Sequence, residues 1–140
     1  MEHIEVSENK LLELFEAALQ ASKLSYSPYS KFPVGAAILV SDGRVFTGCN
    51  VENRSYGLTN CAERTAMFTA VAEGARRIAA VAIAAPKSDY PVGPCGACRQ
   101  VLTEFGSDDV PVVFGTNIEH LTKSTLGELY PFDSLHELAD

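Results

Sequence analysis

No cluster of lysine and arginine interrupts this sequence: 11 basic residues stand against 18 acidic ones, for a formal net charge of −7. Such a surface repels phosphate backbones, so no nucleic acid partner is expected. No apolar run is long, either. Val34 to Val40 and Ile78 to Ala85 are strand-length, well short of the roughly 20 residues that cross a bilayer, and no membrane association is expected. Internal repeats and low-complexity tracts are also missing. With 46% hydrophobic and 21% charged residues, the 140-residue chain reads as a single ordinary globular domain spanning 1–140. The polar, acidic stretch from Met1 to Lys10 has neither the basic start nor the apolar core of a secretory signal, so a cytoplasmic location is expected. Cysteine is sparse. Four cysteines in a reducing compartment make a poor disulfide framework, so their spacing is read first for metal or redox chemistry.

What is present is periodic. Ser7 is placed to cap a helix reaching about Lys23, with Leu11, Leu12, Phe15, Ala18 and Leu19 on its apolar face. Segments 33–40 and 44–51 are β-branched and apolar, and Ser41-Asp42-Gly43 between them supplies turn chemistry for an antiparallel hairpin. A helix from Cys61 to Gly74 leads to the apolar run 78–85. A loop with Pro86, Pro91, Gly93 and Pro94 then precedes a helix beginning near Cys95. Residues 110–115 form another buried strand, with Pro111 tolerated near its start, and Ile118 to Thr122 a short one. Thr125 to Tyr130 and Ser134 to Leu138 read as short helices. A helix, a hairpin and then strands alternating with helices imply an α/β fold: a three-layer α/β/α sandwich around a mixed five-stranded sheet.

Cys95-Gly96-Ala97-Cys98 at a helix start holds two thiols close enough for one tetrahedral metal, but also describes a thioredoxin-like redox pair. Cys61-Ala62-Glu63 shifts the balance toward metal, because it adds a third soft ligand at another helix start, with a carboxylate two positions on. Three protein ligands leave one coordination position open, as in catalytic rather than structural zinc sites. The partial positive charge of a helix N-terminus favours the thiolates that Zn²⁺ requires. Glu63, not itself a ligand, suits a proton shuttle. Hydrolytic deamination takes a proton from water, delivers one to a ring nitrogen and supplies one to the departing amine, and one carboxyl group can do all three. This combination of cysteine ligands, a general acid–base Glu and a PCxxC motif is a recognised zinc deaminase pattern. Arg64, in the same first turn, is placed to donate to the cysteine sulfurs and offset the excess charge of three thiolates.

These residues carry a resemblance. TNCAERTA from Thr59 to Ala66, PCGACRQVL from Pro94 to Leu102, YSPYSKFPVGAA from Tyr26 to Ala37 and GCNVEN from Gly48 to Asn53, in this order, resemble the small three-cysteine form of cytidine deaminase. The resemblance implies one Zn²⁺ per subunit and a nucleoside substrate. It also implies that Asn50 and Glu52 bind the ribose hydroxyls, that Phe32 packs on the pyrimidine and that the Ala62 backbone holds the base. It further implies a homotetramer in which Tyr56 and Phe132 reach a neighbour's site, although Tyr130-Pro131-Phe132 is shorter than the usual segment there.

Plainer readings stand beside these. Cys49 lies in an expected strand and reads as core; as a fourth ligand it would instead close a non-catalytic Cys₄ site. Asn50 and Glu52 could be turn residues at the hairpin's exit, and Phe32 could be core. His3, His120 and His136 are assigned no chemistry. Another aminopyrimidine nucleoside, such as a nucleoside antibiotic, would use the same zinc chemistry with a different pocket.

Overall fold

The computed structural model describes residues 5–135 and residue 138. Its elements are α1 (Glu8–Ser22), β1 (Gly35–Val40), β2 (Val45–Cys49), a 3₁₀ turn (Tyr56–Leu58), α2 (Ala62–Ala72), β3 (Ile78–Ala84), α3 (Gly96–Thr103), β4 (Pro111–Gly115), β5 (Leu121–Thr125) and α4 (Leu126–Leu129). The sheet order is β2-β1-β3-β4-β5. β1 runs antiparallel to both neighbours, β3 and β4 are parallel, and β5 returns antiparallel. The expected mixed five-stranded sheet is therefore present.

Two cores make it a three-layer structure. On one face, Leu11, Leu14, Phe15 and Ala18 of α1 pack on Ala37, Leu39, Ala80, Ala82, Ala84 and Val113. The many alanines let large helical side chains sit close to the sheet. On the other face, Ala36, Ile38, Val40, Val81, Ile83, Val112 and Phe114 meet Ala62, Ala66, Met67 and Ala70 of α2, Leu102 of α3 and Leu126 of α4. β1 is buried on both faces along its whole length.

Ser7 caps α1 as expected, accepting a hydrogen bond from the Lys10 amide at 3.1 Å. The buried stripe uses Leu14, however, while Leu12 is 39% exposed: Leu11, Leu14, Phe15 and Ala18 follow the i, i+3, i+4, i+7 spacing that faces one surface. The hairpin turn places Gly43 at φ +97°, a left-handed conformation that glycine adopts without strain. The last strand lies further along than expected, at 121–125. The β4–β5 register begins at Gly115 opposite Leu121. Residues 116–120 form the connecting turn, in which Asn117 Oδ1 accepts from the Glu119 amide at 2.9 Å. Thr125 then caps α4, accepting from the Glu128 amide at 3.1 Å. The helix expected over Ser134 to Leu138 includes positions outside the described residues.

The topology sets up the site. β2 and β3 both oppose β1, so they are parallel to each other; α2 joins β2 to β3 and α3 joins β3 to β4. Both helices therefore start at the carboxyl edge of parallel strands, where ligands of open α/β sheets bind.

Candidate active site

Cys61 is the N-cap of α2 and Cys95 the N-cap of α3, both in extended backbone conformation. Cys98 lies in the first turn of α3 and is buried. The three Sγ atoms all lie within 4.8 Å of one another, and Cys61 and Cys95 are 3.7 Å apart. Zn–S bonds of about 2.3 Å at tetrahedral angles put two sulfurs about 3.8 Å apart, so this donor set fits Zn²⁺. Cys49 is not in the cluster. It sits in β2 opposite Gly35, leaving three thiols and an open fourth direction.

Electrostatics favour ionising this set. The Cys61 pKa is pulled down to about 5, first by the hydrogen bond from Cys98 and then, against the opposing cost of burial, by Arg64 and Cys95. Cys98 is pushed up, because it is the donor to the Cys61 sulfur and is itself buried. A metal dication supplies the compensation that lets further thiolates form. Arg64 Nη2 donates to Cys61 Sγ at 3.3 Å, and that bond raises the Arg64 pKa above its ordinary value. The buried Arg64 Nε has no hydrogen-bond partner among the described residues, while the guanidinium bonds the Cys61 and Cys98 sulfurs.

Glu63 is only 4% exposed. Burial pushes its pKa up to about 7, with the neighbouring Cys61 charge adding to the rise; hydrogen bonds from its own backbone N–H and from Cys98, and the Arg64 charge, pull the other way. Gly48 explains how α2 comes so close to the sheet. A Cβ there would lie 2.4 Å from the Ala66 nitrogen and 2.8 Å from the Ala62 carbonyl oxygen.

The residues expected to hold substrate form a shell nearby. Glu52 Oε1 accepts from the amides of Tyr29 at 3.0 Å and Ser30 at 3.1 Å, and Oε2 accepts from the Ser30 hydroxyl. The Ser30 hydroxyl bond leads the effects that hold the Glu52 pKa below the ordinary carboxylate value. Lys31, at φ +59°, closes the turn that aims those amides. Asn50 is buried: its Oδ1 accepts from Ser25 Oγ at 2.5 Å and the Val34 amide at 2.9 Å, and its Nδ2 donates to the Phe32 carbonyl at 2.9 Å. Phe32 is half-buried and Ala62 fully buried.

Tyr56 is 75% exposed and meets Tyr29 edge-on at 5.8 Å. Together with Ser30, Glu52 and Thr59 these tyrosines line a cavity of about 270 Å³. Phe132 is not among them. It is 92% exposed and lines a separate cavity of about 850 Å³ with Gln100 and Tyr130. His120 is exposed in the β4–β5 turn; His3 and His136 lie outside the described residues. Sequence reasoning missed Ser25, Tyr29 and Ser30 as supports of this shell, although Tyr29 and Ser30 lie in the YSPYSKF motif. Tyr29 and Ser30 are needed for the turn at the left-handed Lys31 that holds Glu52, and Ser25 for its bond to Asn50.

Three thiols at two helix starts of a three-layer α/β domain, with a buried carboxyl group beside them, form a donor set that suits a catalytic type of zinc centre. Residues 8–114 match the family model of the cytidine and deoxycytidylate deaminase zinc-binding region, and this chain belongs to that family. A cytidine deaminase of Halalkalibacterium halodurans is 50% identical over 118 residues, covering 84% of this chain and 89% of that protein. The crystal structure of cytidine deaminase from Burkholderia pseudomallei, 46% identical, superposes with a TM-score of 0.82 over 90% of this chain and 98% of that one. A blasticidin-S deaminase of Bacillus cereus is 32% identical over 127 residues, covering 86% of this chain and 89% of that protein.

Proposed function

We propose that this protein deaminates cytidine and 2′-deoxycytidine, using water and releasing ammonia and the uridine counterpart. The observation that carries this reading is Glu63, a carboxyl group 4% exposed within two residues of one thiol ligand and in hydrogen-bond reach of another. Cys61, Cys95 and Cys98 would hold the zinc, which would supply the Lewis acidity that lets water act as a nucleophile near neutral pH. Glu63 takes the proton that the attacking water gives up and delivers it to ring N3. It then takes the proton of the hydroxyl now at C4 and passes it to the departing amine, so the C4–N bond breaks as the C4 carbonyl forms. Burial raises the Glu63 pKa from the ordinary carboxylate range toward neutrality, the direction that suits a group that takes and returns protons. Arg64, through its N–H bond to Cys61, offsets the charge of three thiolates.

The same reading assigns Phe32 to the pyrimidine face and the Ala62 backbone to the base. Three of the roughly four lone-pair positions of the Glu52 carboxylate are taken; the remaining one suits a ribose hydroxyl. Asn50 Nδ2 has one N–H beyond that given to Phe32. Tyr56 and Leu58, in one 3₁₀ turn, are 75% and 71% exposed, apolar surface that supports a homotetramer in which Tyr56 and Phe132 reach a neighbour. All four cysteines are free thiols, which suits the reducing cytoplasm, and no helix among the described residues is long and apolar enough to cross a membrane.

The test is ammonia release and absorbance loss from purified protein with cytidine, 2′-deoxycytidine and blasticidin S in parallel. Turnover of both nucleosides with the larger kcat/KM supports the proposal. Preference for the antibiotic would move the assignment to the second reading, which the likeness to a blasticidin-S deaminase keeps open.

A further inference from the structure

Arg99 follows Cys98 directly and is half-buried. Its guanidinium makes two hydrogen bonds in different directions: Nε donates to the Pro94 carbonyl at 2.7 Å, and Nη1 donates to the Leu129 carbonyl at 2.9 Å. Pro94 immediately precedes Cys95. Among the described residues, the stretch 91–94 makes no backbone–backbone hydrogen bond, and two of its four residues are prolines without an N–H to give. The approach of the chain to an exposed metal-site thiol therefore has no backbone ladder: the buried Pro94 ring packs it, and the Arg99 bond supplies its polar tie. The far anchor is firm. Leu129 ends α4, and the next residue, Tyr130, donates its hydroxyl to Gln100 Oε1 at 2.6 Å, so α3 grips this segment through two successive side chains.

We propose that Arg99 is a positioning residue for the metal site, bracing the Pro94–Cys95 peptide against the end of α4 so that the Cys95 thiol is held in place. The planar guanidinium fork suits this job, because it presents separated donors at fixed angles, whereas a lysine presents one point of charge. Metal sites tolerate only about ±0.2 Å in ligand distance, so slack in the 91–94 stretch is felt at the sulfur. The Arg99 bonds go to backbone carbonyls, so its action on the metal site runs through the Pro94–Cys95 backbone. The proposal rests on the zinc-site reading above.

Zinc affinity by chelator competition, and the absorption bands of the Co²⁺-substituted protein, are measured for wild type, Arg99→Met and Arg99→Lys. Arg99→Met is expected to weaken zinc about 10- to 100-fold, the usual effect of losing a group that orients a metal ligand, and to shift the cobalt bands that report tetrahedral sulfur geometry. Arg99→Lys, able to reach only one of the two carbonyls, is expected to recover part of both. A merely structural role would lower thermal stability while leaving affinity and bands unchanged; that result would overturn the proposal, as would a lysine variant no better than the methionine one. Failure of wild type to bind zinc at all would instead remove the metal-site reading, and this inference with it.

Discussion

Replacing Gly48 with alanine puts a methyl carbon 2.4 Å from the Ala66 nitrogen, 2.8 Å from the Ala62 carbonyl oxygen and 2.9 Å from Thr65 Cβ. Two of these are helix backbone atoms, so no side-chain rotation relieves the clash. Ordinary van der Waals contact requires the first turn of α2 to retreat by about 1 Å. The strand cannot yield instead, because Gly48 is paired with Ala36 of the fully buried β1. Overpacking of this kind costs about 1–3 kcal/mol, which a domain of this size can survive. The site is less tolerant. A shift of about 1 Å at Cys61 is several times the slack of about 0.2 Å in a metal–ligand distance, and misplacing a reacting group by as much costs about 10²-fold in rate. Gly48→Ala is therefore expected to remain folded, to lose zinc more readily and to show kcat/KM down by about 10²-fold, read by metal content and ammonia release. Gly96→Ala is the contrast. It sits between Cys95 and Ala97, where a Cβ meets nothing within 4 Å, so zinc should be retained. A Gly48→Ala protein with full zinc and kcat/KM within about twofold of wild type would refute the reasoning.

Arg64→Gln removes the charged donor 3.3 Å from Cys61 Sγ; a lost hydrogen bond to a charged group is worth about 1.5–3 kcal/mol, so kcat should fall by about 10- to 100-fold, and full wild-type turnover would sink the role given to Arg64. Glu52→Ala frees the Tyr29 and Ser30 amides that the carboxylate now holds. Steady-state kinetics should show KM raised about 10-fold or more with kcat changed much less; an unchanged KM would remove Glu52 from the substrate shell. Cys49→Ser should keep one zinc per chain while Cys61→Ser loses it, and loss of metal in Cys49→Ser would favour a closed Cys₄ site instead.

Where chemistry depends on residues close in sequence, it was legible. Cys61 with Glu63, and Cys95 with Cys98, announce a metal-assisted hydrolysis because each pair sits within one helical turn, and the structure places both at helix starts. The strand positions followed from their apolar runs, apart from the last, where turn chemistry around Asn117 delayed β5 until Leu121. The exposure of Leu12 in place of Leu14 shows the limit of counting apolar residues in a helix with leucine at adjacent positions. Tertiary relationships were not legible. Asn50 is bonded to residues 16, 18 and 25 positions earlier, Arg99 reaches a carbonyl 30 positions later, and the raised pKa of Glu63 depends on its burial in the folded chain.

The most direct test compares Glu63→Gln with wild type for zinc content and cytidine deamination together. The substitution keeps the shape of the side chain and removes its capacity to take and return protons. Zinc should remain at one per chain while turnover falls by at least the 10²- to 10⁴-fold attributed to general acid–base catalysis. Turnover retained at full zinc content would contradict the role assigned to Glu63 and, with it, the catalytic reading of the site.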